Sequence, residues 1–172
     1  LMEDLAPAVQ GDQLAGCAPD VAELVLAELA KLQVPRWNDP GLHGIEWLSR
    51  RDGGGTLVDL YGSLLTGFME RLGGALEDDA ARLLETFSAR IGEWAAGSPI
   101  DHLVVTHGDY RLDNMMFGAI GPTSDPLAVV DWQTPGHGRP GSDLAYFVGA
   151  GLMPADRRAN EVGLVREYHS QL

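Results

Sequence analysis

Three short apolar runs constrain the fold of this chain more than any other feature: Leu103-Val104-Val105, Met115-Met116-Phe117 and Leu127-Ala128-Val129-Val130. Each is too short to be a buried helix and fits a short strand. The last two flank a Gly/Pro/Ser/Asp stretch, residues 118–126, and read as a β-hairpin. Around this insert the apolar residues recur at helical spacing, so the expected class is α/β in the α+β sense, mainly helical with a small hairpin.

The helices can be placed individually. Val21, Leu24, Val25, Leu29 and Leu32 share a face, and Asp20-Val21-Ala22-Glu23 has the form of a capping box, so a helix should run from there to just before Pro35. Residues 35–55 hold Trp37, Trp47 and Gly53-Gly54-Gly55, and read as a long loop with one short helical turn. A second helix should start near Thr56, with Asp59 as cap partner, and stop at Gly73-Gly74. A third should span Glu77 to Ala96, with an apolar face of Ala80, Leu83, Leu84, Phe87, Ile91 and Trp94. Helical pattern resumes at Asp143-Leu144-Ala145-Tyr146-Phe147-Val148 and again from about Ala155.

Charge narrows the function classes. Twelve basic against twenty-five acidic residues give a net charge of -13, which opposes a nucleic-acid or anionic-membrane partner, since both demand a positive surface. No apolar run approaches the ~20 residues of a membrane span. The first residues lack the basic and apolar regions of a signal peptide, and Cys17 alone permits no intrachain disulfide. A cytoplasmic location is the expectation, and the acidic charge favours a cationic small-molecule partner.

The strand-bearing segment also holds the chemistry. Thr106-His107-Gly108-Asp109-Tyr110-Arg111-Leu112-Asp113-Asn114 places a carboxylate and an amide on one loop, and Asp131 follows on a separate strand. Phosphoryl transfer needs these types: a carboxylate to accept the proton of an incoming hydroxyl, and hard oxygen donors for Mg²⁺. Asp109 suits the base, and Asn114 and Asp131 suit the metal.

His107-Gly108-Asp109-x-x-x-x-Asn114 resembles the catalytic loop of aminoglycoside phosphotransferases, choline kinases and related small-molecule kinases. Asp131-Trp132-Gln133 looks like that family's metal-binding triplet, and Gly141-Ser142-Asp143-Leu144-Ala145-Tyr146-Phe147 like its following helix start. Leu1-Met2-Glu3-Asp4-Leu5 is similar to the hinge between its lobes, and Leu164 to His169 to a later helix of its C-terminal lobe. The resemblance thus covers nearly the whole chain and implies a protein-kinase-like C-lobe over residues 1–172, with 1–7 as interlobe hinge. It implies ATP as phosphoryl donor, Mg²⁺ as cofactor and the hydroxyl of a small molecule as acceptor. Asp109 would be the catalytic base, Asn114 and Asp131 the Mg²⁺ ligands, and the backbone groups of Met2 and Asp4 would face the adenine. His107 would hold the loop, and Asp143 would cap its helix and brace that loop. The family's N-terminal lobe, with its phosphate loop and lysine, is absent from this chain, whose single lysine, Lys31, sits on a C-lobe helix. Alone, the chain should therefore bind ATP poorly.

Other residues invite plainer readings. Asp113 reads as solvated, and Tyr110 and Arg111 as packing or surface residues before substrate contacts. Gly136-His137-Gly138-Arg139-Pro140-Gly141 satisfies the dinucleotide pattern G-x-G-x-x-G, yet Asp143 would repel a pyrophosphate at the helix start, so the glycines read as a loop near the metal site. A hydrolase using His107, Asp109, Asp131 and His137 as metal ligands is a rival. A kinase scaffold that only binds a ligand or partner is the alternative to catalysis.

Overall fold

The structure, a computed structural model, describes residues 4–51, 55–97, 101–120 and 124–172. The chain groups into two compact units, residues 1–50 with 102–172, and residues 51–101.

The first unit is built on helix α1, Pro19–Gln33. Proline at its start lacks an N–H that would have had no helical partner anyway. The capping box expected there is not used: Ala18 is the N-cap, without a side-chain hydrogen bond, and Asp20 lies inside the first turn, where its charge suits the helix dipole. Ala22, Val25, Leu26, Leu29 and Ala30 are buried and pack with α4, Gly141–Ala150, and α5, Pro154–Ser170. Phe147, Leu164 and Tyr168 complete the core from those helices, and Tyr110, Leu112 and Met115 enter it from the segment that follows Thr106. Each large apolar side chain so buried contributes about 1.5–3 kcal/mol. At the end of α1 the fully buried Gln33 accepts from the Tyr168 hydroxyl and donates to the Pro140 carbonyl, tying α1 to α5 and to the start of α4.

Two small sheets carry the loop. β1 (Val9–Gln10), β4 (Met115–Ile120) and β5 (Asp125–Val129) form one sheet in the order β1-β4-β5. The hairpin read from the sequence is there: Met115 faces Val129 and Phe117 faces Leu127, antiparallel. β2 (Ser49–Arg51), β3 (Val104–Thr106) and β6 (Gly136–Gly138) form the other sheet, in the order β2-β6-β3. Gly136-His137-Gly138 is therefore a strand, not the loop expected, and all three of its residues are buried. Pairing with β3, Val105 opposite His137, overrides its weak strand propensity.

The second unit is a helix pair, α2 (Gly55–Leu72) and α3 (Asp78–Gly97), close to the expected limits. Tyr61 meets Phe87 edge to face at 5.3 Å. Leu83 and Trp94 lie on one flank of the expected apolar stripe and are 68% and 44% exposed, so the inward stripe is narrower than the sequence suggested. Among the described residues no helix is long and apolar enough to cross a membrane.

Candidate active site

The loop that follows β3 is held from below by a buried carboxylate. The His107 N–H donates to Asp143 Oδ2 at 2.7 Å and the Gly108 N–H to Asp143 Oδ1 at 3.0 Å. Asp143, 2% exposed, lies in the first turn of α4, whose N-cap position is Pro140. It braces the loop as expected, but from inside the helix and not from the cap position. Between these two N–H donors and Asp109 the chain turns through Gly108 at φ 84°, a conformation that a residue with a Cβ adopts at a cost.

His107 is fully buried and structural. The Asp109 N–H donates to its Nδ1 at 3.3 Å, and its Nε2 lies 3.0 Å from the Val130 carbonyl. That network assigns the ring proton to Nε2. The ring also meets Trp132 at 4.6 Å. With both ring nitrogens engaged inside the protein, His107 is no metal ligand. His137 is 4% exposed with Nδ1 on the Leu48 carbonyl, and no group of three His, Cys, Asp or Glu among the described residues could hold a metal. The ligand set of the rival hydrolase is not assembled.

Asp109 and Asn114 are brought together. The Asn114 side-chain amide donates to Asp109 Oδ2 and to the Asp109 carbonyl, both at 2.9 Å. Asn114 is 5% exposed, whereas the Asp109 side chain is 34% exposed and open to a reactant. Because Asn114 spends its N–H groups on Asp109, its Oδ1 is the atom left for another partner. Arg111 Nε stands 3.3 Å from Asp109 Oδ2 as an ion pair not aligned for a hydrogen bond. On the other oxygen, the Tyr146 hydroxyl donates to Asp109 Oδ1 at 3.1 Å. Partial burial, then the hydrogen bond and charge of Asp109, raise the Tyr146 pKa, so the phenol keeps its proton and remains a donor.

Asp131 arrives one residue after a double anchor. The Val130 N–H donates to the Asn114 carbonyl at 2.9 Å, and the Val130 carbonyl faces His107 Nε2. Asp131 is exposed and adopts φ 63°, a left-handed conformation that Asp tolerates better than most residues. Asn114 and Asp131 thus offer two hard oxygen donors from adjacent, cross-bonded backbones, a donor set that fits Mg²⁺.

Asp113 is not simply solvated. Its carboxylate accepts from the Gln13 N–H at 2.9 Å and its carbonyl from Gln10 Nε2 at 2.6 Å. Gln13 also accepts from the Leu112 N–H and donates to the Ala150 carbonyl at 2.6 Å. Gly11 lies against the same loop: a Cβ there would stand 2.5 Å from the Leu112 carbonyl oxygen. Tyr110 is fully buried, its hydroxyl donating to the Val25 carbonyl at 2.8 Å. Asp4 uses its side chain locally, accepting from the Ala6 N–H at 3.0 Å, in the segment that leads into β1 beside β4. Met2 lies outside the described residues.

Sequence reasoning passed over Gln13 and Tyr146. Gln13 lies far from the loop in sequence and left no signal. Tyr146 left one, since it sits three residues after Asp143 and hence on the same face of α4.

Comparison with known proteins agrees with this fold. The solved structure of choline kinase LicA from Streptococcus pneumoniae is similar over 96% of this chain and 50% of that one, with a TM-score of 0.50 and 14% identity. At that identity the likeness shows the fold, a kinase-like C-lobe, and the chain spans half the length of that structure. No match was found among curated proteins. The model of one family matches residues 57–172, which include the loop, Asp131 and α4. The chain belongs to the ecdysteroid kinase-like family.

Proposed function

We propose that this chain is the C-terminal lobe of a cytoplasmic, ATP- and Mg²⁺-dependent phosphotransferase that phosphorylates a hydroxyl of a small molecule. The observation that carries the reading is the partly exposed Asp109 carboxylate, held by Asn114 on one oxygen and Tyr146 on the other, with the Asn114 carbonyl bonded to the N–H of Val130, the residue before Asp131. The names of the family and of the structural neighbour, ecdysteroid kinase-like and choline kinase, support it, since both refer to kinases of hydroxyl-bearing small molecules.

In this reading Asp109 accepts the proton of the acceptor hydroxyl as the oxygen attacks the terminal phosphorus and the bond to the nucleoside diphosphate breaks. Asn114, through Oδ1, and Asp131, through its carboxylate, are the residues that would hold Mg²⁺. The metal, when bound, neutralises charge on the phosphoryl oxygens. The Arg111 guanidinium beside Asp109 adds a fixed positive charge to the same cleft. By the same resemblance, the opening segment would serve as the hinge to an N-terminal lobe, with Asp4 on the adenine side. The net charge of -13 favours a cationic acceptor.

Two substitutions in the full-length gene product separate the roles. Asp109→Ala should abolish turnover while Mg²⁺-nucleotide binding, read by calorimetry, survives. Asp131→Ala should weaken that binding itself. Near-normal turnover of Asp109→Ala would remove Asp109 as the base.

A further inference from the structure

We infer that Tyr146 is a positioning residue for the base: its hydroxyl fixes the Asp109 carboxylate and assigns Oδ1 as the oxygen that receives the acceptor's proton. This rests on the phosphotransferase reading above. The two carboxylate oxygens have different surroundings. Oδ2 is turned to Asn114 Nδ2 at 2.9 Å and to Arg111 Nε at 3.3 Å. Oδ1 faces the Tyr146 hydroxyl at 3.1 Å. Each oxygen thus accepts one of the about two hydrogen bonds it can take, but at Oδ2 the Arg111 guanidinium, in ionic contact without a hydrogen bond, crowds the remaining approach, so Oδ1 is the oxygen with room for a second hydroxyl beside the phenol. The acceptor hydroxyl therefore docks on Oδ1, next to Tyr146.

The placement of the tyrosine supports this role over one in packing. The residue is 45% exposed, and its hydroxyl is bonded to Asp109 and not to a core group. It lies on the same α4 face as Asp143, which holds the His107 and Gly108 N–H groups from below. One rigid helix thus fixes both the backbone that precedes Asp109 and the carboxylate itself. Without the phenol hydroxyl, Asp109 is held on one side only, by Asn114 and Arg111, and can swing away from the acceptor.

The test uses the full-length gene product, Tyr146→Phe and Tyr146→Leu, with Mg²⁺-ATP and the alcohol found by screening a panel for ATP consumption. In Tyr146→Phe kcat should fall about tenfold, the scale of a slightly misplaced reacting group. The KM for ATP and the calorimetric affinity for Mg²⁺-ADP should stay within error of wild type, and the melting temperature should fall by no more than about 4 °C, the scale of one partly exposed hydrogen bond. Tyr146→Leu should lose at least as much in kcat. A Tyr146→Phe kcat within twofold of wild type overturns the assignment. So does a loss of kcat accompanied by a larger fall in melting temperature or by weaker Mg²⁺-ADP binding, which would mark a structural role. If wild type itself turns over no alcohol, the phosphotransferase reading fails and this assignment falls with it, a result distinguishable because wild type and variant are then equally inert.

Discussion

Replacing Asp143 with alanine tests how the loop is built. The carboxylate is 2% exposed and accepts two backbone hydrogen bonds, at 2.7 and 3.0 Å. A hydrogen bond to a charged group contributes about 1.5–3 kcal/mol, and a buried donor left unpaired costs a similar amount. The two bonds together set an expected loss of about 3–6 kcal/mol. A carboxylate that only complemented the α4 dipole would contribute about 0.3–1 kcal/mol. For a chain of this size each kcal/mol moves the melting temperature by about 2–4 °C. Asp143→Ala should therefore lower it by roughly 10 °C, against a few degrees for a dipole effect alone. Asp143→Asn, which keeps one acceptor, should fall in between. Circular dichroism melts at neutral pH read the shift, and amide exchange at His107 and Gly108 should accelerate in step. A shift under about 4 °C for Asp143→Ala, with exchange at those amides unchanged, would refute the brace.

Further expectations can be checked on the chain itself. Gly108→Ala forces a Cβ into φ 84° and should cost about 1–2 kcal/mol by urea unfolding; no loss would mean that the loop relaxes freely. Stability should fall as pH rises above about 9. Burial, with the charge of Asp20 adding, pushes the Cys17 thiol from an ordinary 9.0 up to about 11. Burial likewise raises Tyr168 from 10.0 to about 12 and moves Tyr110 further up. Folding favours the neutral form of each group, so its contribution is complete below the unfolded value and is lost as pH climbs towards the folded one. The urea midpoint should drop between pH 9 and 11, and Cys17→Ala should flatten that slope; an unchanged slope would contradict the burial of the thiol.

How much could be read beforehand depended on range. The α2 and α3 limits and the β4–β5 hairpin are set by local periodicity and by glycine and proline, and they stand as expected. The capping box failed because Pro19 begins the helix ahead of it. β6 was illegible because Gly136-His137-Gly138 acquires strand structure only through β3. At the site, Asp109, Asn114 and Asp131 were visible through residue type and spacing. Gln13 and Tyr146 were not given roles, because each is defined by a partner on another element. Asp113 looked solvated for the same reason: its partners, Gln10 and Gln13, come from the β1 side of the fold.

Phosphorus NMR of the full-length gene product with Mg²⁺-ATP and a panel of alcohols reads out whether the cleft around Asp109 transfers a phosphoryl group to a small-molecule hydroxyl, as proposed. A new phosphomonoester signal should grow with ADP for at least one alcohol, and should be absent with Asp109→Ala. No phosphomonoester from any alcohol, or the same signal growing undiminished with Asp109→Ala, would contradict the account.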